Sequence, residues 1–244
     1  MRWQPAWRAV SEITRIHTEK IPYTTSRHRS SIMQALSLRD RRRLQLSNEI
    51  IDCALRLFIQ YGYYETTTHM IAEASHVGVA TVFRYFDSKS GLLAAIIRRD
   101  LSAVLADGKT VAAHPTGSIE RDITHLVLRC IALLDRPSKD ILYAQWSAVS
   151  RRSKENKAIT DLMDWGITEI KKYIRQLLNH YRRDHVLTDR HRIDEYVEII
   201  YAVFNEHYTR CAVFGERYSL VRRRLMRRIP ILFEPWVQDR QIVR

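Results

Sequence analysis

The sequence predicts an all-α chain, and three observations carry that expectation. Glycine and proline are scarce, with 7 and 6 residues in 244, which leaves few punctuation points for the frequent turns of a β architecture. Leu, Ile, Ala, Arg and Glu recur at helical spacing throughout. Residues Thr66 to Leu93, TTTHMIAEASHVGVATVFRYFDSKSGLL, read as two short helices around a tight turn, followed by the start of a third. The expected organisation is a basic, disordered extension over 1–43, a three-helix domain over 44–97 and a larger helical domain over 98–244.

The extension contains Pro5, Pro22, several Ser and Thr, and scattered Arg and His, with no sustained period of 3.6. Met33 offers a second start, so residues 1–32 are open to being an upstream addition. From Leu44 to Tyr61 the positions Ile50, Ile51, Ala54, Leu57, Phe58 and Tyr61 form an apolar stripe that stops at Gly62. The next helix should span Thr68 to Ser75 with Thr67 as its N-cap, burying Ile71 and Ala74. After the turn at His76, Val77 and Gly78, a further helix turns Val82 and Phe86 inward. Its positions Val79, Ala80, Thr81, Arg84 and Tyr85 face away, and they are small or polar enough to enter a major groove roughly 12 Å wide.

Asp87 and Ser88 interrupt the chain before a long helix near Ser90 to Ala112. Beyond Pro115 and Gly117, helices are expected at Ser118–Leu134, Ser138–Arg151, Asn156–Tyr181, Arg190–Phe214 and Tyr218–Phe233, with Gly166 bending the third of these and Pro230 ending or kinking the last. The Arg190–Phe214 helix carries two apolar stripes, one through Ile193, Val197, Ile200, Phe204 and Tyr208, the other through Ile199, Ala202 and Val203. Two stripes ask for two partners: a second copy of the chain, or two-sided burial within one subunit.

The formal net charge of +13 favours an anionic partner. Its distribution matters more. Residues 1–43 hold 10 Lys/Arg against 3 Asp/Glu, whereas 44–100 hold 5 against 6. The turn-containing segment is therefore no basic patch, and phosphate contact must come from a few placed cations, Arg84 and Lys89, with Arg41, Arg42 and Arg43 just before the first helix. The triplet reads equally as a solvated charge run. Cys53, Cys130 and Cys211 are widely separated and lack CxxC spacing, which suits reduced, buried thiols. No apolar run is long enough to span a bilayer, and a cytoplasmic location is expected.

At these residues the chain resembles the TetR family of bacterial transcriptional repressors. The resemblance spans about Ile50 to Ile97: Ala54, Leu57 and Phe58, then Gly62 and Tyr63, Thr67 and Thr68, Ile71 and Ala72, Val77, Thr81, Arg84 with Phe86, and Lys89 before Leu92 and Leu93. His76 replaces the usual turn glycine, Gly78 a common Ser, and Phe83 a common Tyr. Histidine tolerates positive φ better than most residues, so the turn should form. The resemblance implies a homodimer that binds a pseudo-palindromic double-stranded DNA operator, with Thr68, His69, Val79, Ala80, Thr81, Arg84, Tyr85 and Lys89 at the DNA and Arg41, Arg42 and Arg43 nearby. It also implies a small-molecule effector bound among the downstream helices. Candidate pocket residues are His125, Arg129, Tyr143, Trp146, Trp165, Tyr173, Phe204, His207 and Tyr208, though aromatic stripes at this spacing also serve as plain core. Candidate dimer residues are Ile199, Ala202, Val203, Leu225 and Ile229.

No enzyme motif, cofactor fingerprint or metal spacing is evident, and the separations of His180, His185 and His191 put them on no common helical face. The expectation is a ligand-released repressor, neither enzyme nor metalloprotein. The alternative is a DNA-binding factor of the same fold, an activator or protein-interaction module without an effector.

Overall fold

The computed structural model describes residues 37–131, 139–151, 156–184 and 192–233. All regular structure among them is helical: α1 (Leu38–Tyr61), α2 (Thr68–Ala74), α3 (Val79–Phe86), α4 (Lys89–Ala113), α5 (Ile119–Ile131), α6 (Lys139–Arg151), α7 (Lys157–Arg183), α8 (Ile193–Ala212) and α9 (Tyr218–Ile231). Most of the expected extension, the possible start at Met33, and His185 and His191 lie outside the described residues. No described helix is long and apolar enough to cross a membrane.

The first helix begins six residues before the expected start. Ser37 caps it, its hydroxyl oxygen accepting from the Asp40 N–H at 3.1 Å, and Asp40 places a negative charge in the first turn. Arg41, Arg42 and Arg43 are consequently part of α1 and do not precede it. A turn with polar residues on all sides gives no apolar period, so only its cap marked it.

The turn between α2 and α3 follows the expected chemistry. Thr67 caps α2 by accepting from the Met70 N–H at 3.2 Å, His76 takes the left-handed conformation at φ 52°, and Gly78 precedes α3 in extended conformation. One inward position differs. Ala74 is exposed, and its neighbour Ala72 is buried beside Ile71. Ile50, Phe58, Ile71, Leu92, Leu93 and Ile96 are buried almost completely and hold α1 to α4 together.

The long helix α4 belongs to both parts of the molecule. Its first turns pack on α1 and α3, and its later turns on α5 and α7. An expected boundary at residue 97 therefore falls inside one continuous helix. Leu101 lies beside Gly166, Gly108 beside Tyr173, and the Ala112 carbonyl accepts from Gln176. Both partners advance together along the sequence, so α4 and α7 run parallel. Gly166 shows why the approach is close. A Cβ there would sit 2.6 Å from Leu101 Cδ2, and the glycine serves this contact within a helix continuous from Lys157 to Arg183.

Around this pair, α5 packs on α9, and α8 packs on α6 and α7. Asp122, buried near the start of α5, accepts from the Thr116 N–H at 2.9 Å, the Thr116 hydroxyl at 2.7 Å and the Tyr181 hydroxyl. Burial, reinforced by that carboxylate, pushes the Tyr181 hydroxyl well above its ordinary pKa. All three cysteines are free and buried, as expected.

Candidate nucleic-acid interface

Helix α3 has eight residues, and at about 100° per residue they divide into distinct sides. Val82, Tyr85 and Phe86 are buried, and α3 packs on α2 and α4. Ala80, Phe83 and Arg84 are exposed, flanked by the partly exposed Val79 and Thr81. His69 is exposed on α2 beside the partly exposed Thr68.

Two residues expected at the DNA do something else. Tyr85 is only 8% exposed, with its ring 6.1 Å from Phe86. Its place three residues after Val82 aligns it with the core, a signal its polarity obscured. The guanidinium groups of Arg43 and Arg84 lie 6.0 and 5.8 Å from the ring, near the outer limit of a cation–π contact. This contact puts the arginine-rich start of α1 next to α3. Phe83, which stands where the resemblance has a common tyrosine, is 47% exposed on the outward face, a position the sequence analysis does not assign it.

Lys89 is the second correction. Its ammonium donates to the carbonyls of Tyr63, Tyr64 and Thr66 at 3.0, 3.1 and 3.0 Å, so all three donors are occupied by the α1–α2 loop. Burial lowers its pKa, an effect opposed by Glu65. The Tyr63 ring lies 4.8 Å below the ammonium, and burial pushes the Tyr63 hydroxyl up to about 12. Lys89 thus fastens the loop to the first residue of α4 and has no hydrogen left for a phosphate oxygen. A cation at a helix N-terminus opposes the dipole, which was the available hint that it had a specific partner. At the same helix start, the Gly91 N–H is taken by the Ser88 hydroxyl at 3.0 Å.

The loop is held from below as well. The Thr66 hydroxyl, fully buried, reaches the carbonyls of Gly62 and Leu57 at 2.7 and 3.2 Å. The loop joins the 24-residue α1 to the seven-residue α2. Its outer side, through Tyr63 and Tyr64, borders a cleft of about 190 Å³ shared with Leu93, Ala144, Ser147, Arg151 and Asn156. That volume is below the range of roughly 300–1,000 Å³ usual for organic ligands.

The downstream candidates separate into three groups. His125, Arg129 and Tyr143 are exposed, Arg129 pairing with Asp107 at 3.5 Å, so they are not pocket residues here. Tyr173 is buried as core against Gly108. Trp146, Trp165, Phe204 and Tyr208 are partly buried against the core, with Phe204 and Tyr208 rings 6.3 Å apart on α8. His207 is completely buried, its Nδ1 2.7 Å from the Val203 carbonyl. A carbonyl only accepts, so Nδ1 donates there, and neither Nε2 nor the buried Tyr208 hydroxyl has a hydrogen-bond partner.

The dimer candidates also divide. Ile199 is 44% exposed and Ala202 is exposed on the outer side of α8, with Val203 partly exposed beside them. Leu225 and Ile229 are completely buried within the subunit, where α9 meets α5 and α8. The outer side of α9 instead presents Met226 and Ile231 among arginines.

Residues 50–96 match the family model described as bacterial regulatory proteins, tetR family. Over 135 residues the chain is 28% identical to an uncharacterized HTH-type transcriptional regulator, YvkB, of Bacillus subtilis (strain 168), a match covering 55% of this chain and 65% of that protein. Over 167 residues it is 27% identical to the HTH-type transcriptional repressor KstR of Rhodococcus jostii (strain RHA1), covering 63% and 77% respectively. The chain thus spans slightly less than two thirds of the first of these relatives. In fold it is similar to a TetR transcription regulator from Haloarcula marismortui, with TM-score 0.61, 18% identity, and 74% and 94% of the two chains covered. It is also similar to the transcriptional regulator FadR from Bacillus subtilis, solved in complex with stearoyl-CoA, with TM-score 0.58, 14% identity, and 74% and 96% covered. Read with the geometry of α2 and α3, these matches make residues 50–96 similar to the tetR family of bacterial regulatory proteins and the fold similar to that of its solved members.

Proposed function

We propose that the chain is a homodimeric repressor that reads a pseudo-palindromic operator through α3 and is released by a small organic effector bound among its C-terminal helices. The observation that carries the reading is the outward face of α3, with Ala80, Phe83 and Arg84 exposed on a helix whose other side is fixed by Val82, Tyr85 and Phe86. Arg84 is the residue for a guanine edge or a phosphate, and Arg42, exposed near the start of α1, for the adjoining backbone. Two readers related by twofold symmetry would meet half-sites one helical turn apart, about 34–36 Å.

The dimer reading rests on Ile199 and Ala202, which are apolar, adjacent on one side of α8 and uncovered within the subunit. The effector reading rests on α8 as well. Tyr208 and His207 bring a hydroxyl and a ring nitrogen, both buried without a hydrogen-bond partner, among half-buried aromatic groups. Such atoms are unfavourable until something polar reaches them.

Selection of duplexes from a randomised oligonucleotide pool, followed by footprinting, tests the core of the proposal. A protected site with two inverted half-sites is the expected result, and failure to retain any duplex at low ionic strength rejects it. Equilibrium sedimentation of Ile199→Lys against the wild type tests the dimer, with a fall toward monomer mass expected. A thermal-shift panel that includes stearoyl-CoA and free hydrophobic acids tests the effector; a stabilising compound that also dissociates the duplex supports release. A compound that tightens duplex binding would instead support an activator or corepressed regulator.

A further inference from the structure

We infer that α3 reads the C5-methyl groups of thymine through an apolar half of its outward face, and that Phe83 is the residue that sets this preference. The inference rests on the reading of α3 as the base-contacting helix. Around the helix axis the exposed and partly exposed positions fall into two adjoining groups. Val79, Phe83 and Ala80 occupy one, Arg84 and Thr81 the other. No side chain in the first group can donate or accept a hydrogen bond.

The chemistry of base edges makes that division selective. In the major groove a guanine offers two acceptors, adenine an acceptor and a donor, and cytosine a donor, while thymine offers one acceptor and a methyl group. Pressing a phenyl ring against guanine or cytosine strips water from polar atoms and returns no hydrogen bond. Against a thymine methyl, the same ring buries apolar surface on both sides. Phe83 is the largest side chain on the outward face and is 47% exposed, although a phenyl group gains nothing from water. Its neighbour Val79 lies one turn back on the same line, so the two can flank one methyl or cover two in successive pairs. Arg84, on the other group, suits guanine. The half-site should therefore carry thymine under Val79 and Phe83 and guanine under Arg84.

The test uses the full-length protein and the operator obtained by pool selection. Each thymine of the footprinted half-sites is replaced singly by deoxyuridine, which removes the methyl and leaves every hydrogen-bonding group in place. Affinity should fall about three- to fivefold at one or two adjacent positions, the effect of one methyl leaving an apolar contact. Phe83→Ala should make those positions insensitive to the replacement while leaving the other thymines as they were. 5-Methylcytosine introduced at the sensitive position, paired with guanine, should recover part of what cytosine loses. If no thymine is sensitive while the footprint persists and Arg84→Ala still weakens it, methyl reading is overturned and DNA reading stands. If no duplex is retained at all, both fall.

Discussion

The reading head and the larger helical domain are built on opposite principles of satisfaction. Around the α1–α2 loop the Thr66 hydroxyl and the Lys89 ammonium close on five backbone carbonyl contacts, and the chemistry the head displays is on its outside, at Ala80, Phe83 and Arg84. In the larger domain the Thr124 hydroxyl, His207 Nε2, the Tyr208 hydroxyl and one Glu216 oxygen are buried with no hydrogen-bond partner, while the reading head contributes none among the described residues. A surface that docks to a fixed duplex gains from rigidity, because ordering it beforehand removes that cost from binding. If the larger domain answers a ligand, as proposed above, it gains from internal groups that the ligand can satisfy.

Breaking the first half of this contrast should produce the largest effect. Lys89→Met removes one donor from three carbonyls at once, and hydrogen bonds from a charged group contribute roughly 1.5–3 kcal/mol each before water repairs them. A net loss of about 2–3 kcal/mol is expected, read as a lower midpoint in urea, with faster amide exchange across Tyr63 to Thr66. The salt slope of DNA binding should stay as in the wild type. A reduced slope with unchanged stability would return Lys89 to the phosphate role.

Arg84→Ala attacks the display instead of its support. Loss of one well-placed base or phosphate contact corresponds to about 1–3 kcal/mol, a roughly 5- to 150-fold weaker operator affinity. Thermal stability should not change, because Arg84 is exposed. Should both affinity and stability fall together, Arg84 is holding Tyr85 rather than reading DNA.

Tyr208→Phe sharpens the second half. Deleting a buried hydroxyl that has no partner should raise the stability of the free protein by up to about 1 kcal/mol, visible as a small increase in Tm. It should also weaken any effector found by thermal shift. A destabilised variant would mean that the hydroxyl already has a partner, and that the domain is as satisfied as the head.

The smallest effect concerns alkaline pH. Burial pushes the Cys130 thiol from 9.0 to about 12, and the hydroxyls of Tyr63, Tyr173 and Tyr201 from 10.0 to about 12. A raised pKa favours the protonated group in the folded state, so this stabilisation is complete below the unfolded value and disappears as pH rises through the folded one. The contribution of these four groups should be level below pH 9 and decline from there to about 12. Tyr63 alone among the four reports on the head; Tyr63→Phe should flatten the decline only in probes of that region.

Much of this arrangement was legible in the sequence, for local reasons. Thr67, His76 and Gly78 specify caps and a left-handed turn through their own backbone preferences, and the five helices after Pro115 were marked by apolar period and by Pro, Gly and Asn at their ends. What escaped was decided by distant contacts. The partners of Lys89 lie 23 to 26 residues away in the chain. Leu225 and Ile229 looked like interface and proved to be core, because periodicity finds an apolar side without saying what covers it. His125 and Arg129 are one turn apart, as expected, yet both face outward. The burial of Tyr85 was legible too, since its spacing from Val82 places it on the inward side.

One consequence belongs to the clasp on α4. The helix enters the larger domain as a shaft running alongside α7, while its first residue grips the loop between α1 and α2. Any tilt of that shaft must drag the loop along before it can loosen α3. In the regulator proposed above the head would therefore pivot whole, like a tool turned by its handle, and a duplex would sense where the tip points long before it sensed any change in the tip's shape.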